Sequence, residues 1–492
     1  MAKINLSELT IKKTNTHLMA GDFSVEELCD ACLEVIEKKN PEINAYLEVF
    51  DDVKEQAKRA QKKLDEDRKK GSAKRQAKEQ TNFLVGIPIA VKDNMLIEGK
   101  LVSAASKILA GYRAPYSATA IKKLEDAGAI FLGRTNMDEF AMGASTENSA
   151  FGVTKNPHDT SRVSGGSSGG SAAVIAMDGA LVALGSDTAG SVRQPASFCG
   201  AVGLKTTYGS VSRYGLIAMG SSLDQIGPIT KTVEDAEIIF KHIKGYDRYD
   251  SNSIPDEKYT AVGAKGDEKN LVIGVPHALI EVEGIDPDVL SDFEASVKRL
   301  KNLGYKIEEI ELPNAKYSLP AYYILMPGEV SSNLARFDGM KFGLHVSGDK
   351  LLEDYVRSRG EGFGPEPRRR ILIGTYVLSA GYYDAYYNKA QAVRNLITHD
   401  FKHAFEKVDA IIMPTTPTPA FKIGEKSADP LAMYLADVFT VPSNIAGIPT
   451  ITVPSGTTER DGKKLPLGLQ ILTPHCREDL LFKIGKEFLR EE

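Results

Sequence analysis

The chain has 492 residues, of which 42% are hydrophobic, and a formal net charge of −5. This composition is typical of a globular protein, and its mildly acidic balance argues against binding to nucleic acid or to a membrane surface through overall charge. The first residues lack the apolar segment of a signal peptide and no apolar run reaches about 18 residues, so we expect a cytoplasmic protein without a membrane span.

The first fifty residues show the apolar periodicity of two helices, and Asn40-Pro41 is predicted to be the break between them. Cys29 and Cys32 lie in this region at CxxC spacing. The surrounding pattern is that of an amphipathic helix, and the sequence has no second pair to complete a zinc site. The pattern therefore favours two buried core cysteines over a redox or metal pair.

Charged and amide residues dominate from Asp51 to Gln80, with almost no apolar face after Leu64. This pattern favours a solvated helix followed by a mobile loop. An electrostatic contact with RNA or with a partner protein is the alternative.

Apolar β-type runs alternate with helical patterns over the rest of the chain. Strands are predicted at Phe83–Val91, Ala129–Gly133, Ala180–Gly185, Leu271–Pro276, Ala410–Pro414, Thr450–Pro454 and Leu467–Leu472, and helices at Ala118–Gly128, Gly169–Asp178, Pro287–Leu303 and Tyr383–Lys407. This alternation predicts a single large α/β/α sandwich with a mixed, largely parallel central sheet covered by helices. We expect one domain over residues 1–492, with N-terminal helices and a charged segment to residue 82, a core over 83–260, and a specificity region over 261–492.

Two serines lie in glycine-rich loops between residues 163 and 200: Ser167 in GGSSGGS and Ser191 in TAGSVR. Glycine allows backbone N–H groups to approach a ligand closely, so these loops suit a nucleophile beside an oxyanion hole. A phosphate-binding loop is the alternative, but the Gly-Lys-Ser/Thr ending of a P-loop is missing.

A serine needs a base to act as a nucleophile, and histidine is poorly placed to supply one. Ser191 lies in Ala189-Gly190-Ser191-Val192-Arg193, which is not a G-x-S-x-G elbow, and only His158 lies near either loop in the sequence. His399 and His403 have the spacing of a zinc-protease helix but lack its glutamate, so we expect them to face solvent. Lys92, after the apolar run GIPIAV, is a possible base because burial favours the neutral form of lysine. A lysine that ends a strand in order to reach water is the other interpretation.

The segments GIPIAVKDN, SGGSSGGSAA and GSDTAGSVRQPA, in this order and spacing, resemble the amidase signature family. The two serines are 24 residues apart, as in the family's motif. The resemblance implies the family's fold and its Ser–cisSer–Lys triad. Ser191 would then be the acylated nucleophile, and Ser167, after a cis peptide bond, would relay a proton between Ser191 and Lys92.

The resemblance also implies an oxyanion hole formed by backbone N–H groups of Thr188, Ala189 and Gly190, next to the nucleophile. Losing one such donor typically costs about 3 kcal/mol of transition-state stabilisation.

Two later segments, Glu361–Gln391 and Asp429–Pro454, resemble one branch of this family, the A subunits of glutamyl-tRNA(Gln) amidotransferases. The resemblance extends over essentially the whole chain. It implies that Arg370 binds the α-carboxylate of glutamine, with the choice among the arginines of 368–370 open by one position, and that Asp437 binds the α-amino group. Without the resemblance, both would be interpreted as residues on a helix surface.

The function implied by this resemblance is a glutaminase that supplies ammonia to a partner. In this branch, the B subunit uses ATP and Mg to convert Glu-tRNA(Gln) to Gln-tRNA(Gln), and the C subunit wraps the other two. We therefore expect a heterotrimer with B and C subunits that contacts tRNA mainly through the partner, and a chain that itself needs no cofactor and no metal. A standalone amidase acting on small amides and a non-catalytic binding protein are the alternatives.

Overall fold

The structure, a computed structural model, describes residues 4–70, 82–255, 257–259, 270–280, 284–427 and 429–491. The strands in this part of the chain are β1 (Tyr46–Val49), β2 (Pro88–Lys92), β3 (Ile130–Thr135), β4 (Lys155–Asn156), β5 (Asp159–Val163), β6 (Val182–Asp187), β7 (Val202–Lys205), β8 (Gln225–Thr230), β9 (Val272–Val275), β10 (Lys306–Glu309), β11 (Ala410–Pro414), β12 (Thr450–Arg460) and β13 (Lys463–Leu472).

The α-helices in the same described residues are α1 (Ile11–Ala20), α2 (Val25–Ile43), α3 (Val53–Lys70), α4 (Thr119–Ala127), α5 (Gly169–Ala176), α6 (Arg193–Cys199), α7 (Val233–Ile243), α8 (His277–Ile280), α9 (Pro287–Asn302), α10 (Ser318–Asn333), α11 (Leu351–Gly362), α12 (Pro365–Val377), α13 (Lys389–Ala404), α14 (Pro430–Tyr434), α15 (Val441–Ala446) and α16 (Glu478–Leu489).

A mixed sheet forms the centre of the molecule, which confirms the predicted α/β fold. Over the described residues it has eleven strands in the order β1-β3-β2-β6-β8-β7-β12-β13-β11-β9-β10, while β4 and β5 form a separate hairpin. The parallel part consists of two blocks, β3-β2-β6 and β11-β9-β10, and antiparallel strands connect them. Helices α3, α5, α7, α9 and α16 pack against the strands and cover the sheet.

The sheet places two functional loops side by side. Strands β2 and β6 are parallel neighbours, with Ala90 opposite Ala183 and Val91 opposite Leu184. Their carboxyl ends therefore meet at one edge of the sheet, where α/β proteins form their ligand sites. The chain leaves β6 in a short loop and enters α6, and the preceding glycine-rich segment enters α5.

The predicted break at Asn40-Pro41 is wrong, because α2 continues through Pro41 to Ile43 and the two N-terminal helices separate at Gly21. Proline is tolerated in this last turn because it removes only one helical hydrogen bond. The Asn40 side chain also stabilises the helix end, since it accepts from Tyr46 N–H at 2.7 Å and donates to the Tyr46 carbonyl oxygen at 3.0 Å.

Other predictions for this part of the chain are confirmed with adjusted limits. Cys29 and Cys32 are buried free thiols in α2, and burial raises the pKa of Cys29 to about 12. The charged segment begins with the predicted helix, α3, which buries its apolar side, including Leu64, against α2 and β3. The loop predicted after it falls on residues 71–81, outside the described residues.

Several of the later predictions need different limits; β12 and β13, for example, extend well beyond the strands predicted at 450–454 and 467–472. The strand predicted from Phe83 begins only at Pro88, because the preceding residues form turns. The helix predicted from Tyr383 begins with a π-helical turn over Asp384–Asn388 before α13. His399 and His403 lie exposed on α13, as expected.

Candidate active site

Lys92 is the last residue of β2 and is fully buried, so the interpretation that it reaches water is wrong. Its Nζ lies 2.8 Å from Ser167 Oγ, 2.8 Å from Ser168 Oγ and 2.9 Å from Ser186 Oγ. Ser186 belongs to β6, and the other two serines precede α5. Three hydroxyl groups from two neighbouring segments therefore surround one amine.

The charge of Lys92 is controlled by its burial. Loss of hydration disfavours the ammonium form and lowers the pKa of Lys92 to about 7. The buried carboxyl groups of Asp138, Asp187 and Asp224 act in the opposite direction and limit this decrease. A large fraction of Lys92 is therefore a neutral amine near pH 7, the form that can accept a proton.

The backbone on both sides of Ser167 is fixed. The Gly166–Ser167 peptide bond is cis, as the family resemblance predicts. Gly166 N–H donates to the side-chain oxygen of Gln194 at 2.8 Å, and Asp138 N–H donates to the Ser167 carbonyl oxygen at 3.2 Å. A Cβ at Gly166 would lie 2.1 Å from an Asp138 carboxylate oxygen. These contacts hold the Ser167 hydroxyl against Lys92.

Asp187, the last residue of β6, organises the loop that carries Ser191. Its carboxylate accepts from Arg193 Nε at 3.0 Å and Nη2 at 3.1 Å, and from Asn444 Nδ2 at 2.9 Å. Burial opposes ionisation of Asp187, but the Arg193 guanidinium outweighs it and lowers the pKa to about 2. Ser168 N–H donates to the Ser191 carbonyl oxygen at 3.1 Å, which joins this loop to the other serine loop.

The same loop presents backbone donors beside the Ser191 side chain. Within the described residues, the N–H groups of Thr188, Ala189 and Ser191 have no hydrogen-bond partner. Gly190 differs, because its N–H donates to Asp187 Oδ1 at 2.9 Å. The predicted oxyanion hole therefore needs one correction: the Gly190 N–H is occupied where the loop folds back on Asp187, and Ser191 offers its own N–H.

A cavity of about 240 Å³ lies next to this loop. Its lining includes Ala189, Ser191, Tyr322, Tyr323, Glu366, Arg370, Tyr434 and Asp437. Pockets for drug-sized ligands measure about 300–1,000 Å³, so this cavity suits a smaller ligand such as an amino acid. The structure thus brings together in one site three residues that the sequence analysis took from separate motifs: Ser191, Arg370 and Asp437.

Arg370 is the buried arginine of the 368–370 run, and the other two are exposed. Its Nε donates to Glu366 Oε1 at 2.6 Å, and its guanidinium lies 5.0 Å and 5.1 Å from the ring centres of Tyr323 and Tyr434. A guanidinium held in this way is pre-organised for planar, two-point recognition of a carboxylate. Arg369 also lines the cavity, but it is exposed and pairs with Glu366, so the geometry favours the buried Arg370 as the residue that binds a ligand.

Asp437 is buried in the cavity wall, and among the described residues nothing donates a hydrogen bond to its carboxylate. Burial raises the pKa of Asp437 to about 8, against the opposing effect of the Arg370 charge. An unpartnered carboxylate of this kind gains stability from a cationic ligand group. Asp437 is therefore suited to bind an ammonium group.

Sequence reasoning missed the charged groups that support the site: Asp138, the pair Asp187 and Arg193, and Asp224. The pair lies inside the segment GSDTAGSVRQPA, so the signal was present, but nothing in the sequence indicates that the two side chains bond each other. Asp224 accepts from Thr188 Oγ1 at 2.7 Å, and no local pattern indicates that contact.

The comparisons with known proteins agree with this geometry. The sequence profile of the family described as Amidase matches residues 27–482. The A subunit of the glutamyl-tRNA(Gln) amidotransferase of Desulfatibacillum aliphaticivorans is 50% identical over 485 residues, which are 98% of this chain and 97% of that protein.

The chain belongs to the amidase family, in the branch of the glutamyl-tRNA(Gln) amidotransferase A subunits.

Solved structures of the amidase family resemble this amidase over nearly its full length. The glutamyl-tRNA(Gln) amidotransferase A subunit of Thermotoga maritima has a TM-score of 0.78 and 39% identity, and the match covers 100% of this chain and 96% of that chain. The peptide amidase of Stenotrophomonas maltophilia has a TM-score of 0.78 at 28% identity, with 98% and 96% covered. The sequence identity is thus higher to the amidotransferase A subunit than to the peptide amidase, at the same TM-score.

Neither a metal-binding cluster nor a membrane-spanning helix is present in the described part of this amidase. No group of three or more His, Cys, Asp or Glu side chains there is arranged to hold a metal ion. Among its described helices, none has the length and apolarity needed to cross a membrane.

Proposed function

We propose that this chain hydrolyses glutamine and supplies the released ammonia to a partner that amidates Glu-tRNA(Gln). The observation that carries the proposal is the shared cavity of Ser191, Arg370 and Asp437, with Lys92 and Ser167 directly beside the Ser191 loop. An α-amino acid presents a carboxylate and an ammonium group, and the cavity offers a guanidinium and a free carboxylate to match them.

The first chemical step is attack by Ser191 on the side-chain amide carbon of glutamine. Ser191 Oγ gives its proton to Ser167 Oγ as Ser167 passes its own proton to the neutral Nζ of Lys92, 2.8 Å away. The C–O bond forms as the carbonyl π pair moves to oxygen. The backbone N–H groups of Thr188, Ala189 and Ser191 stabilise this oxyanion.

The second step expels ammonia and leaves a γ-glutamyl ester on Ser191. The proton held by Lys92 returns through Ser167 to the amide nitrogen, so that the C–N bond breaks with ammonia as the leaving group. Water then attacks the ester by the same relay in reverse and releases glutamate. No step consumes a cofactor or a metal in this chain.

The partners follow from the relatives, whose names denote subunits of glutamyl-tRNA(Gln) amidotransferases. We propose a cytoplasmic heterotrimer in which the B subunit uses ATP and Mg to activate the glutamyl group and receives the ammonia, while the C subunit wraps the other two. In this assembly tRNA is contacted mainly through the partner.

The test is glutamine-dependent formation of Gln-tRNA by the complex, co-expressed with its candidate B and C subunits, with wild type or Ser191→Ala. The variant should lose the reaction with glutamine and retain it when ammonium chloride replaces glutamine. The ammonia arm shows that the complex still assembles and amidates.

Two results would contradict the proposal. Full glutamine-dependent activity of Ser191→Ala would remove Ser191 from the chemistry. Vigorous hydrolysis of many simple amides by the isolated chain, without any effect of the partners, would instead support a standalone amidase.

A further inference from the structure

Besides Arg370, two cationic side chains line the cavity, Arg369 and Lys426. Arg369 pairs with Glu366, and Lys426 is the one without an ion pair among the described residues. Lys426 is half-buried, and its Nζ lies over the face of the Phe421 ring, 4.5 Å from the ring centre.

Among the described residues no carboxylate lies within ion-pair distance of Lys426. Glu425 and Asp437 stabilise the charged form of Lys426, but neither forms an ion pair with it. A partly desolvated lysine at a ligand cavity with no bonded carboxylate is suited to bind an anionic group of the ligand.

The segment that carries Lys426 is fastened to the core rather than free at the surface. Val163 N–H donates to the Phe421 carbonyl oxygen at 3.1 Å, and Ile423 N–H donates to the Ser161 carbonyl oxygen at 3.0 Å. The next residue, at position 424, then donates its N–H to the Glu147 carboxylate at 2.7 Å. These bonds hold the backbone just before Lys426 against the core. The fold therefore fixes the position of Lys426 at the cavity wall.

The other charged groups in the cavity indicate that Lys426 is available to bind an anionic group of a ligand. The positive charge of Arg370 already faces Glu366 at 2.6 Å, so it is partly neutralised before any ligand arrives. Asp437 lacks a bonded cation. Burial lowers the pKa of Lys426, and the charges of Glu425 and then Asp437 oppose this decrease without forming an ion pair with Lys426. A zwitterionic ligand between Lys426 and Asp437 would provide a carboxylate for Lys426 and an ammonium group for Asp437.

We propose that Lys426 binds the α-carboxylate of the substrate together with Arg370 and thereby selects amides that carry this group. The inference rests on the proposed glutaminase function and adds a residue that determines specificity. A charge-assisted hydrogen bond of this kind contributes roughly ten- to a hundredfold in affinity.

The experiment removes one charge from the protein and one charge from the substrate in turn. Lys426→Met, Lys426→Arg and wild type are assayed in the complete complex with three amides. Glutamine carries both groups, glutaramate lacks the α-amino group, and 4-aminobutanamide lacks the α-carboxylate. Each amide is measured by its KM, or by its inhibition constant against glutamine where turnover is slow.

We expect Lys426→Met to raise the constants for glutamine and glutaramate about tenfold or more and to leave that for 4-aminobutanamide within about twofold. The kcat for glutamine should change little, and Lys426→Arg should restore most of the affinity. Lys422→Met is the matched control, because Lys422 lies on the same segment but pairs with Asp461 at the surface. It should behave as wild type.

Equal changes in the constants of all three amides, or no change in any of them, would overturn the role of Lys426. Glutamine hydrolysis by the wild-type complex would in that case still support the proposed function. A wild-type complex that does not hydrolyse glutamine would overturn both. Thermal unfolding of each variant shows that the comparison is made between folded proteins.

Discussion

Glutamine turnover should fall about tenfold when the pH is lowered from 8 to 6, because the proton relay needs neutral Lys92. Burial lowers the pKa of Lys92 from 10.5 to about 7. The neutral fraction is then about nine-tenths at pH 8 and about one-tenth at pH 6. With an ordinary lysine pKa, less than about 1% would be neutral at pH 8 and the rate would still rise towards pH 10. The sign is therefore fixed: activity is present above pH 7 and is lost below it.

Asp437 also titrates in this range, since burial raises its pKa to about 8. At saturating glutamine the bound ammonium group keeps Asp437 ionised, so kcat reports Lys92. At low glutamine both groups of the free enzyme must be deprotonated, and kcat/KM should fall more steeply than kcat below pH 8. The two profiles together separate the base from the binding carboxylate.

The assay is ammonia release by the complex between pH 5.5 and 10, with stability checked at each pH. Lys92→Arg is the control, because arginine keeps the positive charge but does not deprotonate in this range. Its kcat should be more than about a thousandfold below that of the wild type at every pH, because the variant has no general base. A kcat that is constant down to pH 5.5, or one that rises up to pH 10, would refute the reasoning about Lys92.

Two further predictions concern the loop of the nucleophile. Gly190→Ala should abolish turnover, because Gly190 has φ 132° and a Cβ there would lie 2.3 Å from Thr440 Oγ1. Gly360→Ala is the control, because a Cβ at Gly360 meets no atom within 4 Å, and this variant should leave kcat unchanged. Equal kcat values for the two variants would contradict the prediction. Asp187→Asn should destabilise the chain by about 3–5 kcal/mol, because it leaves the buried Arg193 without its counter-charge. A shift in thermal unfolding equivalent to less than about 1 kcal/mol would count against that ion pair.

The candidate residues of the site could be singled out because they are local in sequence, whereas the role of Lys92 as base and the different roles of the two serines came from the family resemblance. Lys92 follows an apolar strand directly, and the two serines lie in loops whose glycine content indicates close backbone contacts. The cis bond before Ser167 and the assignment of Arg370 and Asp437 to the carboxylate and ammonium groups of glutamine also came from the family resemblance rather than from physical reasoning. The occupied N–H of Gly190 could not be predicted, because it depends on how one loop folds back on Asp187.

The fold was predictable where strands are apolar and unpredictable where they are not. Strands β7 and β8 were missed, although both lie in the middle of the sheet. β8 has the sequence QIGPIT and includes Pro228, a residue that normally argues against a central strand. β7 ends at the buried Lys205, whose charge hides the strand pattern. Polar residues buried by distant partners obscure periodicity, and only the assembled sheet reveals them.

The assignment of the two serines is the central claim, and the covalent intermediate tests it most directly. The complex is mixed with glutamine and quenched with acid within one turnover. It is then digested with a protease that cleaves before aspartate, so that Asp178 and Asp187 separate Ser167 from Ser191, and the peptides are analysed by mass spectrometry. We predict a single γ-glutamyl ester on the peptide that contains Ser191, absent from Ser191→Ala, with no ester on the peptide that contains Ser167. An ester on Ser167, or glutamine hydrolysis that persists in Ser191→Ala, would contradict the account.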